Sequence, residues 1–395
     1  YSGSLGKETE MTWQPTRRGL FRATAAAAGA GILQACTGTP PQQPAGTGTA
    51  PTRQPQTQTP KPPTGKGNVL RLIAPSGFAP DPNRANYGIA RLTRAGFAVE
   101  NGQAAYRRYQ RFAGTDAQRA ADLQDLAGGR HPMPQVIMGM RGGYGAHRLL
   151  PLIDFASLGA RMREHGTLFF GFSDVCVLQL ALLAKSGCPS FAGPMVYSEF
   201  GNPNPSAYTM DSFIRCTTQS GYGISVPQIQ RQDARLDGIL WGGNLSVLAA
   251  LAGSPYLPDI DGGILFLEDV GEQPYRIERM LQTLLTAGVL KKQQAVIFGD
   301  LRDVYDPSYD LAAVISAIGR AAGIPVLTGF PFGHVSNKAS FPLGVQASVR
   351  PDGSGGYTVG FGSYPALDKN LLQLDRLLQP DPDTQTVEDT AADAE

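Results

Sequence analysis

Short apolar runs alternating with stretches of helical spacing constrain this chain more than any other feature. Val69 to Ala74, Gln135 to Met140, Thr167 to Phe170, Gly263 to Leu267 and Ala295 to Phe298 are rich in Val, Ile, Leu and Phe, and several run directly into Gly- or Ser-rich turns. Between Tyr275 and Leu290, Ile277, Met280, Leu281, Leu284 and Leu285 fall on one helical face, with Arg276, Glu278 and Arg279 off it. Strands buried on both faces and separated by helices predict an α/β architecture with parallel sheets. The stretch 68–379, roughly 310 residues, exceeds one small core and predicts two units, 68–215 and 216–379. Tyr197 to Arg235 lacks clear periodicity, contains Gly201-Asn202-Pro203-Asn204-Pro205, and is the expected crossing between them. There is no internal repeat.

The flanks have a different composition. From Met11, a candidate start, the chain carries Arg17-Arg18, an Ala/Gly-rich apolar stretch from Ala23 to Leu33, and Leu33-Gln34-Ala35-Cys36. Paired arginines, an apolar segment too short to span a bilayer and small residues before a cleavage point predict an export signal of the twin-arginine type. The Leu-x-Ala-Cys ending resembles a bacterial lipobox, which implies lipidation of Cys36 and a membrane-anchored protein facing the periplasm. Residues 1–10 carry no signal of their own. Thr37 to Gly67 is Pro, Thr, Gln and Gly with almost no large apolar residue, and is expected to be a disordered tether. Residues 380–395 form an acidic, polar tail. No other apolar run approaches the length of a membrane span.

A formal net charge of +1 gives no argument for nucleic acid as a partner. After Cys36 three cysteines remain, Cys176, Cys188 and Cys216, at spacings that match neither a zinc site nor a disulfide framework, so buried free thiols are expected. Four histidines without a His-Glu-x-x-His pattern argue against a metal enzyme.

Three strand ends carry residues of chemical interest. Gly171-Phe172-Ser173-Asp174 joins the run ending at Phe170 to an apolar helical run, Val175 to Ala184. A serine on such a turn presents its hydroxyl above the sheet edge, beside the free amides of a helix N-terminus. Ser-Asp is equally an ordinary helix N-cap, and position 175 is Val, so the second glycine of a Gly-x-Ser-x-Gly elbow is missing. Arg141-Gly142-Gly143-Tyr144-Gly145 follows another strand; its glycines let backbone amides approach a ligand and suit a phosphate cradle or an oxyanion hole, without the spacing of a nucleotide-binding loop. Leu267-Glu268-Asp269 places carboxylates at a strand's C-terminal end. His334, in the loop Phe330-Pro331-Phe332-Gly333-His334, is a candidate general base, whereas His131, His147 and His165 sit in polar or charged surroundings expected at the surface. Ser173, His334 and Glu268 together supply a nucleophile, a base and an orienting carboxylate.

Ile73-Ala74-Pro75-Ser76-Gly77, Arg141-Gly142-Gly143-Tyr144-Gly145, Gly171-Phe172-Ser173-Asp174, Gly193-Pro194-Met195, Gly242-Gly243-Asn244-Leu245, Leu267-Glu268-Asp269 and Gly333-His334 with Pro342-Leu343-Gly344 resemble, in this order, the motifs of the LD-carboxypeptidases, the muramoyl-tetrapeptide carboxypeptidase family of serine peptidases. The resemblance covers about residues 69–350. It implies a flavodoxin-like N-terminal domain bearing the serine and a C-terminal β/α domain bearing the glutamate and histidine, commonly as a homodimer. It also implies Ser173 as nucleophile, His334 as base and then acid, Glu268 as its partner, and an oxyanion hole from the amide of Asp174 and one from the Gly142-Gly143 turn. The implied reaction cleaves a terminal D-alanine from an L-centre, typically diaminopimelate, of a peptidoglycan stem tetrapeptide, without a cofactor. An export signal departs from the cytoplasmic recycling role usual in this family and shifts the expected substrates to periplasmic muropeptides or the wall. Two other readings stay open: a microcin C immunity-type hydrolase of peptidyl or aminoacyl nucleotides, and a non-catalytic muropeptide-binding lipoprotein.

Overall fold

The computed structural model describes residues 68–379 except 228–232, 234 and 303–305. The arginine pair, Cys36, the tether and the acidic tail lie outside the described residues. In chain order the elements are β1 (Val69–Ile73), α1 (Pro82–Arg94), β2 (Ala98–Glu100), α2 (Asp116–Ala127), β3 (Val136–Gly139), α3 (Phe155–His165), β4 (Leu168–Gly171), α4 (Cys176–Ser186), β5 (Ser190–Ala192), α5 (Ala207–Thr218) and β6 (Gly223–Val226). There follow β7 (Leu236–Asn244), α6 (Leu245–Ala250), β8 (Ile264–Val270), α7 (Pro274–Thr286), β9 (Ala295–Arg302), α8 (Leu311–Ala322), β10 (Val326–Leu327), β11 (Phe341–Leu343), β12 (Val345–Pro351) and β13 (Tyr357–Phe361). Among these described residues no helix is long and apolar enough to cross a membrane.

The first sheet has the order β11-β5-β4-β3-β1-β2. From β2 to β5 it is parallel and follows the flavodoxin-like order, whose ligand sites lie beyond the carboxyl ends of the strands. The second sheet, β10-β9-β8-β7-β12-β13-β6, is parallel from β7 to β10 and antiparallel through β12, β13 and β6. The apolar runs from Val69, Gln135, Thr167, Gly263 and Ala295 all lie on strands, and the helical stripe after Tyr275 is α7, which buries Ile277, Met280, Leu281 and Leu284. Cys176, Cys188 and Cys216 are buried free thiols.

The stretch from Tyr197 to Arg235 is more regular than its sequence pattern predicts, because it contains α5 and β6. The buried face of α5 is Thr209, Met210, Ser212, Phe213, Cys216 and Thr217, a mixture with no continuous apolar stripe to read. Its hydroxyls are consumed internally: Thr209 Oγ1 donates to the Ser336 carbonyl at 2.8 Å, and Ser212 Oγ accepts from the Ser340 amide at 2.8 Å.

Strand β11 links the sheets. It follows the second sheet's parallel strands in sequence yet pairs antiparallel with β5, with Phe341 opposite Ala192 and Leu343 opposite Ser190. Phe341 is fully buried, with its ring centroid 5.1 Å from Phe266 on β8 and 5.0 Å from both Phe330 and Phe332 in edge-to-face geometry. Phe341→Ala should therefore destabilise the fold by about 3–5 kcal/mol, read as a lower urea midpoint at unchanged m-value. A midpoint within error of wild type would show that this cluster does not hold the sheets.

Candidate active site

Ser173 stands between β4 and α4 with φ at 58°, the left-handed region that β-carbon-bearing residues rarely enter. The chain turns tightly there: a β-carbon on Gly171 would lie 2.5 Å from Val175 Cγ1. On the adjacent loop, a β-carbon on Gly142 would lie 2.8 Å from both Cβ and Oγ of Ser173, so glycine alone leaves room for the hydroxyl. Among the described residues, no acceptor takes the amides of Gly142 or Gly143.

Buried Asp174 fixes this turn from below. Its Oδ2 accepts from Ser76 Oγ at 2.7 Å and from the Ala146 amide at 2.8 Å, tying the loops after β1 and β3 to the serine turn. Burial pushes the Asp174 carboxyl above the usual range, while these two bonds and the Arg119 charge oppose that rise. From α2, buried Arg119 donates to the Gly145 carbonyl at 2.9 Å and also to the Pro75 carbonyl. The loops after three parallel strands are thus held in register by one carboxylate and one guanidinium.

The second sheet supplies the remaining groups. Glu268 at the carboxyl end of β8 is fully buried, and its Oε2 lies 2.8 Å from His334 Nδ1. The same ring places Nε2 3.0 Å from Ser173 Oγ. The other glutamate oxygen, Oε1, accepts from Asn244 Nδ2 at 3.2 Å, and the Asn244 oxygen caps α6 by accepting from the Val247 amide. His334 follows Gly333, whose φ of 146° brings its backbone against Asp300, where a β-carbon would lie 2.9 Å from Asp300 Cβ. Its ring packs edge-to-face on Phe172 at 5.1 Å.

A buried ion pair sits behind that ring. Lys338 Nζ lies 2.6 Å from Glu199 Oε1 and 4.0 Å from the Phe172 ring centroid. Glu199 Oε2 accepts from the Met195 amide at 2.8 Å and from Ser198 Oγ at 2.7 Å, so the lysine clamps the histidine loop onto the first sheet's side of the cleft.

Ser173, His334 and Glu268, expected from the sequence to act together, are joined in one hydrogen-bonded chain. Gly142 abuts Ser173; Gly143, exposed at φ 112°, lies next to it in the same turn. Asp174 has, besides its amide, an anchoring carboxylate that the sequence reading did not assign. His131 is exposed, and His147 and His165 are half-buried. The sequence assigns no role to Arg119, Lys338 or Glu199, and names Asn244 only as part of the Gly242-Gly243-Asn244-Leu245 motif. An asparagine at a strand end followed by a helical run is an N-cap signal and could have drawn attention to Asn244; nothing local marks the other three. Among the described residues no group of His, Cys, Asp and Glu has the arrangement of a metal site.

Chemically, the constellation can deprotonate a serine through an imidazole whose far nitrogen faces a buried carboxylate. The chain is similar to known proteins across both sheets. Residues 70–193 match the LD-carboxypeptidase N-terminal domain and residues 237–349 the LD-carboxypeptidase C-terminal domain. The probable murein peptide carboxypeptidase of Bacillus subtilis is 30% identical over 291 residues, covering 72% of this chain and 89% of that protein. The crystal structure of the muramoyltetrapeptide carboxypeptidase from Oxalobacter formigenes superimposes with a TM-score of 0.69 at 37% identity, covering 75% of this chain and 100% of that one. The microcin C7 self-immunity protein of Escherichia coli is 28% identical over 299 residues, covering 68% of this chain and 85% of that protein.

The close approach of Gly142 to Ser173 yields a test. Gly142→Ala should leave far-UV circular dichroism unchanged while slowing fluorophosphonate labelling of Ser173 about a hundredfold, the scale of a 1 Å misplacement. Unchanged labelling would mean that the turn has slack that the geometry does not suggest.

Proposed function

The chain belongs to the LD-carboxypeptidase family, and we propose that it is a serine hydrolase removing the terminal D-alanine from the L-centre, typically diaminopimelate, of peptidoglycan stem tetrapeptides. The observation that carries this reading is the chain Ser173 to His334 to Glu268, with contacts of 3.0 and 2.8 Å drawn from two sheets. In the proposed reaction Ser173 Oγ attacks the scissile carbonyl carbon as His334 Nε2 takes its proton. Nδ1–H of the resulting imidazolium donates to Glu268, whose other oxygen is held by Asn244. The tetrahedral oxyanion is received by the amide of Asp174 and one from the Gly142-Gly143 turn. His334 returns the proton to the departing D-alanine nitrogen, and water, deprotonated by the same ring, releases the acyl group from Ser173. Every proton is carried by one imidazole, and no cofactor enters the scheme.

The likeness to the microcin C7 self-immunity protein supports a second reading, in which the same three residues cleave a peptidyl or aminoacyl nucleotide. Assaying both substrates by mass spectrometry separates the two. Ser173→Ala and His334→Ala should each reduce tetrapeptide turnover by about 10⁶-fold, and Glu268→Gln by about 10⁴-fold, because an amide orients the ring without stabilising its charged form. Wild-type turnover in the alanine variants would remove the nucleophile and base assignments, and product from the nucleotide substrate alone would favour the second reading.

For location, we propose export and lipid anchoring through Arg17-Arg18 and Cys36, with action on periplasmic muropeptides or the wall. The support is the order of arginine pair, apolar stretch and lipobox. The protein should fractionate with membranes, Cys36→Ser should abolish lipidation, and Arg17→Lys with Arg18→Lys should block export. Uncleaved, lipid-free wild-type protein confined to the cytosol would return the enzyme to a recycling role.

A further inference from the structure

The segment Tyr106-Arg107-Arg108-Tyr109-Gln110-Arg111-Phe112 alternates arginines with aromatic residues and is absorbed by none of the chemistry above. It forms a tight turn in which Tyr109 and Phe112 exchange both backbone hydrogen bonds at 2.9 Å, with Gln110 at φ 53°. This turn is joined to the site by backbone contacts. The Phe78 amide donates to the Arg111 carbonyl and the Gly77 amide to the Gly142 carbonyl, both at 3.3 Å. Phe78, Gly77 and Gly142 therefore separate Arg111 from Ser173 along this route.

Two of its arginines are unlike their neighbours. Arg107 and Arg148 are committed to Asp122 and Asp116, each at 2.6 Å. Arg108 and Arg111 have no carboxylate partner among the described residues; they lie over aromatic rings, Arg108 4.0 Å from the Phe78 centroid and Arg111 5.6 Å from that of Tyr144. A guanidinium stacked in this way keeps its edge donors free for an anion or a carbonyl oxygen. Tyr106, Tyr109 and Tyr144 expose 51%, 51% and 49% of their surface beside them, and a cavity of about 180 Å³ opens between Phe78, Pro80, Pro82, Tyr106 and Arg108.

We propose that this surface is a subsite for the saccharide end of the substrate, with the tyrosine faces packing on pyranose C–H faces and Arg108 and Arg111 holding acetamido and carboxylate oxygens near the sugar. The proposal rests on the peptidoglycan reading of the active site. On that reading the sugar is linked to the amino end of the stem, and the three stem residues before the scissile bond span on the order of 10 Å. That reach suits a platform removed from the nucleophile by three residues, Phe78, Gly77 and Gly142.

The test compares wild type with the Arg108→Gln/Arg111→Gln double variant on two substrates, free stem tetrapeptide and the same peptide bearing its N-acetylhexosamine disaccharide. Loss of uniform binding should raise KM for the disaccharide peptide about tenfold at unchanged kcat, leaving the free peptide unaffected. Equal effects on both substrates, or none, would overturn the subsite. A separate arm titrates adenosine monophosphate as an inhibitor; inhibition of wild type that the double variant relieves would assign the surface to a nucleotide instead. If wild type cleaves neither peptide, the functional reading fails on its own. Calorimetry with the free disaccharide then still decides the surface: binding weakened about tenfold in the double variant, the factor expected above for KM, supports the subsite, and no binding to wild type overturns it.

Discussion

Everything in the cleft depends on bringing a serine from one sheet within 3.0 Å of an imidazole that a carboxylate from another sheet holds at 2.8 Å. Two independently packed sheets would not keep such tolerances, because a shift of an ångström at their boundary breaks this hydrogen-bonded chain. The segment that carries His334 removes this freedom. It leaves the second sheet after β10, is clamped by the buried Lys338 to Glu199 pair, and ends as β11 hydrogen-bonded to β5 of the first sheet. A buried ion pair contributes little net stability as a rule, but breaking it by removing one partner costs about 3–5 kcal/mol. Its effect here is positional: it penalises any arrangement in which the loop slides away from Phe172.

The left-handed serine adds a local cost of about 1–2 kcal/mol, offset by contacts the turn makes on every side. Hydrogen bonds to a charged acceptor are worth about 1.5–3 kcal/mol each, and Asp174 receives two from loops that would otherwise be free to move. The strain and its compensation therefore sit one residue apart. Glycines at 142 and 171 are the steric condition for both, since each occupies a point where a β-carbon would collide with the turn.

How much of this was legible follows from which contacts are local. The β-strand runs, α7 and the glycine turns are patterns within a few residues, and the sequence displays them directly. That Ser173, Glu268 and His334 meet was not in any local pattern; it came from the ordered set of motifs that resemble one family. The clamp was hidden, because Glu199 and Lys338 are separated by 139 positions and each alone resembles an ordinary charged surface residue. Helix α5 shows no legible stripe because its buried face mixes apolar residues with hydroxyls and a thiol, and the Thr209 and Ser212 hydroxyls find partners more than 120 positions away. The antiparallel half of the second sheet is hard to read for a related reason: β12 and β13 alternate buried with half-buried or exposed positions, a weaker signal than the continuous apolar runs of the parallel strands.

Asn244 shows why a neutral residue occupies the centre of so charged a site. Glu268 and Asp269 are adjacent and both buried, and burial together with the neighbouring Glu268 charge pushes the Asp269 carboxyl up, against hydrogen bonds that pull it down. Asn244 Nδ2 lies 3.2 Å from an oxygen of each carboxylate, while the amides of Ser246 and Val270 serve Asp269 separately, each at 2.8 Å. A lysine or arginine at this position would neutralise Glu268 outright and weaken its attraction for an imidazolium. An amide satisfies the same lone pair without adding charge. In the proposed reaction it leaves the Glu268 carboxylate facing His334, where positive charge would arise as the serine proton is taken.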